Sequence, residues 1–483
     1  MSRPARGLLA PENRAVSLAV AASVALAFYN ATSVTAALPD IGADLGRVAL
    51  TQWVITVELL TAAIAVLAIG PFIDGSGVRR AYRLAIVGFA VASALCAAAP
   101  TMEVLVGARL LQGFATGSLI GTAMTCIGLA YDGALRPRAY ALVASVWGVM
   151  GVGGPAVAAV LVSTLGWRAV FAVNLPVAAA AAAAGWNRVP AQAMARAEPL
   201  DRRGLALMGA ISVALLLATS SLQWSSIALM VLAVVLYGLY VRHSRCRPGP
   251  IVHISHITGP QWWPVHVVAI ASIAGGTGAS VFLPLYLKGA RGTSLSFAAF
   301  AVLWPTVGWA AASWVSSKLQ ERMRAQSVVV IGSVILTGGA VAVTVAAATA
   351  APYALVFAAF LWLGWGIGTI TPSSMALLQD QADSAEMGRV TSAHQFIRSL
   401  GWAYGAAIAG MVLFWVVETR AGDAEAVRAL LDDSGTSFDT ALADTLSKAY
   451  AWSLGALGVI SALTVPAAVA LFRSYNPDRI TRD

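Results

Sequence analysis

Glu58 stands about two helical turns inside QWVITVELLTAAIAVLAIGPFID, residues 52–74, a run that is otherwise apolar almost to its end. An acid at the centre of a membrane helix costs about 2.5–3.5 kcal/mol on insertion scales, so a carboxyl group kept there is a candidate proton carrier. Arg109 opens RLLQGFATG inside another apolar stretch, and a buried arginine is a functional candidate for the same reason. Asn30 interrupts the first apolar run of the chain. At a rise of about 1.5 Å per residue, Glu58 lies roughly 9 Å, Arg109 roughly 10 Å and Asn30 roughly 12 Å from the same end of their three spans. Helices running in alternating directions therefore bring the three groups to one depth. Burial and a neighbouring guanidinium act in opposite directions on a carboxyl group, and that opposition can poise it to take up and release a proton. A permanent Glu58–Arg109 ion pair and a Glu58 that reaches the outer water are the structural alternatives.

His394 and Arg398 form a second group. They sit four residues apart, on one face of a helix, and imidazole is the side chain that titrates near neutrality. A satisfied polar residue near a helix end is the plainer reading of His394. Six of the fifteen tryptophans, Trp147, Trp304, Trp309, Trp362, Trp365 and Trp402, fall within apolar runs. Of these, Trp147, Trp304 and Trp365 are candidates to line a cavity and stack on a substrate, with packing or lipid contact as the alternative.

These residues need a scaffold, and composition dictates which kind. The chain has 483 residues, 59% hydrophobic and only 11% charged, with a mean hydropathy of +0.77. A soluble protein of this size carries far more surface charge. Apolar runs of the roughly 20 residues needed to cross a bilayer recur along the chain and do not alternate as barrel strands do. The expectation is an all-α polytopic membrane protein with about fourteen spans, near 15–38, 52–73, 82–99, 102–125, 139–163, 168–186, 204–221, 226–241, 264–287, 296–316, 326–348, 353–378, 390–416 and 450–472. The first run is too long for the core of a signal peptide. Most of the 31 Lys and Arg residues fall on the side of the N-terminus, which predicts both termini in the cytosol. Orientation accounts for the net charge of +9, and nucleic acid is not an expected partner. Cys96, Cys126 and Cys246 are not placed for a structural disulfide. No metal cluster, phosphate loop or nucleophile–base pair rises above chance, so no cofactor and no enzyme activity are expected.

The layout reads as 6 + 2 + 6. Residues 1–187 form a six-helix bundle, 188–263 carry two inserted helices between basic linkers, and 264–483 form a second six-helix bundle. A long external loop, 417–449, holds Asp423, Glu425, Asp432, Asp433, Asp439 and Asp444. Two weakly similar halves with a site near the midplane between them are a transporter pattern.

Several motifs follow this layout. In GPFIDGSGVRR, residues 70–80, Gly70 and Gly77 permit a tight turn, Asp74 can cap the next helix, and Arg79 and Arg80 hold the loop on the cytosolic side. Gly113 and Gly117 of RLLQGFATG let neighbouring helices approach. GVMGVGGPAV, with Gly151, Gly154 and Pro155, offers a bent, smooth face between the halves. GWRAVFAVNLPV, LDRRG, FLPLYLKGARG, GWGIG and GRVTSAHQFIRSLGWAYG follow in order. The ordered set, spanning about residues 26–415, resembles the major facilitator superfamily, and within it the fourteen-helix drug:proton antiporter branch.

That resemblance implies a monomeric exporter in the plasma (inner) membrane. It would exchange protons for a small amphiphilic substrate by alternating access within the lipid bilayer. It also implies that the first and fourth helices line the cavity. The branch usually carries a carboxylate in the first helix where this chain has Asn30, which cannot hold a proton, and a tyrosine where this chain has Glu58. Glu58 would then take over the proton-carrier role, in exchange with Arg109. A lipid or glycolipid exporter on the same fold, and a non-transporting membrane sensor derived from it, are the competing expectations.

Overall fold

The structure is a computed structural model of the chain, and it describes residues 7–47, 50–131, 135–191, 201–220, 224–421 and 440–474. It is all-helical among these residues. Thirteen described stretches are long and apolar enough to cross a membrane. The helix Arg202–Ser220, of 19 residues, stands where the seventh span is expected.

The first six spans are α1 (Pro11–Leu45), α2 (Thr51–Ser76), α3 (Val78–Ala97), α4 (Met102–Ala130), α5 (Arg136–Leu165) and the pair α6 (Arg168–Ala172) and α7 (Asn174–Gly185). The helices α8 (Arg202–Ser220) and α9 (Trp224–Cys246) pack on each other, and a short α10 (Ser255–Thr258) follows. The remaining spans begin with α11 (Trp263–Val281), which continues through α12 (Leu283–Leu285) into a π turn at Tyr286–Ala290. The break falls at Phe282, two residues before Pro284, whose missing N–H leaves the α ladder without a donor. Then come α13 (Leu295–Ala301) and α14 (Leu303–Leu319), α15 (Ala325–Ala348), α16 (Tyr353–Gln381), α17 (Met387–Ala421), and finally α18 (Thr440–Ala462) with α19 (Thr464–Ser474).

Helices extend beyond the expected spans at several ends. The largest difference is the acidic external stretch. Helix α17 runs to Ala421 and α18 begins at Thr440, so Asp444 lies on a helix, paired with Lys448 four residues on. Asp423, Glu425, Asp432, Asp433 and Asp439 lie outside the described residues, as do residues 192–200 of the first linker. Cys96 and Cys126 are buried and Cys246 is exposed, all as free thiols.

Small residues set the close crossings. A Cβ on Gly113 would overlap the Glu58 carbonyl oxygen and Thr61 Oγ1, and one on Gly117 would overlap the Ala62 carbonyl oxygen. These two glycines, one and two turns beyond Arg109, let α4 press its backbone against α2. Gly308, Gly364 and Gly368 do the same between α14 and α16. Across the midline, α5 packs on α14 and α2 on α17.

Candidate functional site

The three residues expected at one depth do meet. Asn30 Nδ2 donates to Glu58 Oε1 at 3.0 Å, and Arg109 Nη1 donates to Asn30 Oδ1 at 2.8 Å. Arg109 Nη2 lies 3.6 Å from Glu58 Oε2. The guanidinium also donates to the Val54 carbonyl oxygen at 2.8 Å and to Gln112 Oε1 at 2.7 Å. Gln112 in turn donates from Nε2 to Ser93 Oγ at 2.9 Å. Both Glu58 and Arg109 are 1% exposed, which rules out a Glu58 open to water in this conformation. Asn30 is the hinge of the network, because its amide offers a donor to the carboxylate and an acceptor to the guanidinium at once. A charged pair is tolerable in such a dry site only when its remaining hydrogen-bonding groups are also satisfied, and here α1, α2, α3 and α4 each contribute a partner.

The motif GPFIDGSGVRR works differently from expectation. Gly77 does turn the chain, at φ +83°. Gly70 does not; it lies within α2, where a Cβ would sit 2.7 Å from the Gly388 carbonyl oxygen and 2.8 Å from Ser392 Oγ. Asp74 caps no part of α3. Its Oδ1 accepts from the Gly388 N–H at 2.7 Å and its Oδ2 from the Arg389 N–H at 3.0 Å. The carboxylate thus sits at the N-terminus of α17, where free N–H groups and the helix dipole favour an anion. The reason is spatial: Gly70 brings α2 against α17, so the nearest unsatisfied donors belong to that helix. Arg79 Nε donates to the Val189 carbonyl oxygen at 2.7 Å, and Arg80 is exposed.

Other polar contacts gather at the same end, the end where α1 begins. Arg136 pairs with Asp380 and Arg138 with Glu321. Tyr140 Oη donates to Gln379 Oε1 at 2.6 Å, and Gln379 Nε2 donates to the Met124 carbonyl oxygen at 3.0 Å. These contacts join the first six spans to the last six and close that end of the molecule. The glycine-rich face of α5 is divided. Gly148 lies against Ala310 and Thr306 of α14, whereas Gly151 and Gly154 lie against Phe28 and Thr32 of α1. Gly151 and Gly154 therefore pack within the first six spans, not between the halves. Pro155 lies inside α5 without ending it.

Above that closed end, aromatic rings from four helices meet. Phe28 and Trp147 stack at 4.9 Å between centroids, Trp147 meets Trp309 edge-on at 5.6 Å, and Trp309 stacks on Trp402 at 6.4 Å. The Arg398 guanidinium carbon lies 5.9 Å from the Trp147 ring centroid. Trp304 is elsewhere, stacked on Phe357 at 5.7 Å, and Trp365 makes no described ring contact. Phe28 was not singled out from the sequence, because nothing in a phenylalanine inside an apolar run marks it as anything but packing.

His394 does not pair with Arg398. Its Nδ1 is 3.2 Å from His266 Nδ1, and His266 Nε2 is 2.8 Å from the His256 carbonyl oxygen. A carbonyl only accepts, so His266 carries its proton on Nε2 and its Nδ1 accepts from His394 Nδ1–H. That leaves His394 Nε2 as a bare ring nitrogen, buried with no hydrogen-bond partner among the described residues. His256 lies 3.3 Å from Glu386 at the closed end. Burial lowers the pKa of His256 below its ordinary value, and the Glu386 carboxylate opposes this only in part. His266 is a solitary ionisable group in its apolar run, a signal that could have linked it to His394.

A polar contact also ties the two inserted helices together. Asp201 accepts from the Gly204 N–H at 3.0 Å and lies 2.8 Å from His243 Nε2, joining the start of α8 to the end of α9. Burial pushes its carboxyl up, but these two hydrogen bonds and the neighbouring Arg247 hold it below the usual range. Among the described residues there is no group of three or more His, Cys, Asp or Glu side chains able to hold a metal ion.

Comparison with known proteins fits this arrangement. Residues 20–406 match the family described as the Major Facilitator Superfamily. The multidrug transporter protein MdtP of Bacillus subtilis is 27% identical over 391 residues, covering 79% of this chain and 72% of that protein. A probable multidrug-efflux transporter of Mycobacterium tuberculosis is 27% identical over 434 residues, 86% of this chain and 90% of its own length. The methylenomycin A resistance protein of Streptomyces coelicolor is 26% identical over 374 residues, 75% and 78% of the two chains. Among solved structures, a bacterial homologue of the iron transporter ferroportin in an outward-facing state superposes with a TM-score of 0.63 at 10% identity, over 95% of this chain and 99% of that one. The proton:xylose symporter XylE does so with a TM-score of 0.61 at 14% identity, over 93% and 94%. With its helical bundle, the polar contacts that close one end and a family match over most of its length, the chain is a multi-pass membrane protein that belongs to the Major Facilitator Superfamily, a family of transporters and not of enzymes.

Proposed function

We propose that the protein is a proton-coupled exporter of amphiphilic organic compounds, of the fourteen-helix drug:proton antiporter branch. It sits in the plasma (inner) membrane as a monomer with both termini in the cytosol. The observation that carries the proton coupling is the Asn30–Glu58–Arg109 network, a carboxylate 1% exposed whose charge is balanced by one arginine. The three relatives with names of multidrug transport, efflux and drug resistance support the substrate class.

In this reading the end closed by Asp74, Arg136 and Arg138 faces the cytosol, and the opposite end is the one that opens to the outside during the cycle. A proton reaching Glu58 from outside cancels the carboxylate and leaves Arg109 held only by neutral acceptors. Removing one partner of a buried ion pair costs about 3–5 kcal/mol. The protonated state therefore favours a rearrangement that gives Arg109 new compensation, and closing the outer side is the available one. Opening toward the cytosol requires the Asp74 bonds to α17 to part, and Gly70 and Gly77 are placed at that seam. His394, whose Nδ1 contacts His266 and whose Nε2 is bare, is a second candidate proton acceptor, reached from the cytosolic end past His256 and Glu386.

The test uses inverted membrane vesicles with an acid interior. A panel of drugs, dyes and lipophilic metabolites is added and interior pH is followed. A compound that dissipates the gradient with wild type but not with Glu58→Gln is the expected result. Equal behaviour of the two proteins would remove Glu58 from the coupling step.

A further inference from the structure

We propose that the centre of the molecule holds a binding site for an aromatic organic anion, anchored by Arg398 and walled by Phe28, Trp147, Trp309 and Trp402. The assignment rests on the transport reading for its physiological meaning, because it names the substrate class of that transporter.

Arg398 is 8% exposed, so more than nine-tenths of it is buried. Its guanidinium makes one described hydrogen bond, from Nη1 to Gln395 Oε1 at 2.7 Å. Among the described residues no carboxylate pairs with it. The contacts described for it are the Gln395 amide and the Trp147 ring, neither of which carries a charge. A buried charge without a counter-charge is costly, and proteins keep one where something else supplies the opposite charge. The planar fork of donors suits a carboxylate, a sulfonate or a phosphate.

Its position is that of a ligand site. Arg398 is eleven residues past Met387 in α17, and Trp147 is eleven past Arg136 in α5. At about 1.5 Å per residue both lie roughly 16 Å from the closed end, at one depth in the bundle. The rings come from α1 and α5 on one side of the molecule and from α14 and α17 on the other. Trp402, one turn from Arg398, is 40% exposed although it stacks on Trp309. A row of rings with one partly uncovered member and a guanidinium at its edge offers a stacking surface and a counter-ion together. In the first half the charges already match, since Glu58 is taken by Arg109 and Asn30 is neutral. The uncompensated charge at the centre is positive.

The test measures charge preference directly. Full-length protein in lipid nanodiscs is titrated with 1-naphthoate and with 1-naphthylmethylammonium, two probes of one ring system and opposite charge. Binding is read by tryptophan quenching against empty nanodiscs. The expected result is at least about ten-fold tighter binding of naphthoate by wild type, the range of one charge-assisted hydrogen bond. Arg398→Gln should remove the preference. Gln395→Glu should also remove it by supplying an internal counter-ion, while Arg398→Lys should keep part of it. Preference for the ammonium probe, no binding of naphthoate by folded wild type, or a preference unchanged in Arg398→Gln would each overturn the site. Binding is read without any gradient. A charge preference found in a protein that moves no protons would therefore keep the site and defeat the antiport reading instead.

Discussion

Arg109 and Arg398 both sit deep in this protein, and their surroundings differ. Arg109 in α4 donates to three acceptors and lies beside a carboxylate. Among the described residues Arg398 in α17 makes one hydrogen bond, to a neutral amide, and its guanidinium lies over the Trp147 ring. The first site is internally complete, so its chemistry is a change of charge within the protein. The second is incomplete, so its chemistry needs something from outside. In the proposed antiport mechanism a transporter that couples two flows uses one site of each kind, and the two halves divide the tasks.

The sharpest way to break this comparison is to unbalance the complete site. Glu58→Gln keeps the shape and an acceptor for Asn30 but strands Arg109. It should lower stability by about 3–5 kcal/mol, read by denaturation in nanodiscs. Arg109→Gln with Glu58→Gln should recover most of that loss, and no recovery would mean that the two groups are not energetically coupled. Asn30→Asp in the Glu58→Gln background moves the acid by one side chain, to a position already 2.8 Å from the guanidinium. It should restore part of the about 3–5 kcal/mol lost with the pair, and return proton-dependent transport. If it restores stability without transport, the location of the acid matters beyond its charge.

Arg398→Gln should act with the opposite sign. Removing an uncompensated charge is expected to leave stability unchanged or raise it by about 1–2 kcal/mol, while substrate transport falls. A fall in stability as large as that of Glu58→Gln would reveal an internal partner and make the two sites alike. The smallest effect is expected from His394→Gln. Its amide can replace the donor to His266 Nδ1, so stability should stay within about 1 kcal/mol. The pH profile of transport should change, and an unchanged profile would assign His394 to packing.

Near the closed end, the same reasoning separates Asp74 from its loop. Asp74→Asn weakens two hydrogen bonds to the start of α17, each worth about 1.5–3 kcal/mol to a charged acceptor. Cysteine accessibility measured at that end should rise. Accessibility that stays at the wild-type level would mean that Arg136–Asp380 and Arg138–Glu321 hold the end shut without it.

Apolar runs alone determined that this chain is a multi-span helical bundle, because a bilayer leaves a helix no other way to satisfy its backbone. They also placed Asn30, Glu58 and Arg109 at one depth, since a fixed rise per residue turns sequence distance into height. Rotation about each helix axis is a different matter. Whether Glu58 turns toward Arg109 depends on Gly113 and Gly117, which let α2 and α4 touch. That Asp74 holds α17 and not α3 depends on Gly70 and the crossing it permits. Phe28 beside Trp147, His394 beside His266 and Arg398 away from any carboxylate among the described residues are pairings between residues more than a hundred positions apart, or the lack of one. Local sequence specifies helices and their heights. Facing and neighbours come from packing all the helices at once, and those decide which partners a buried charge meets.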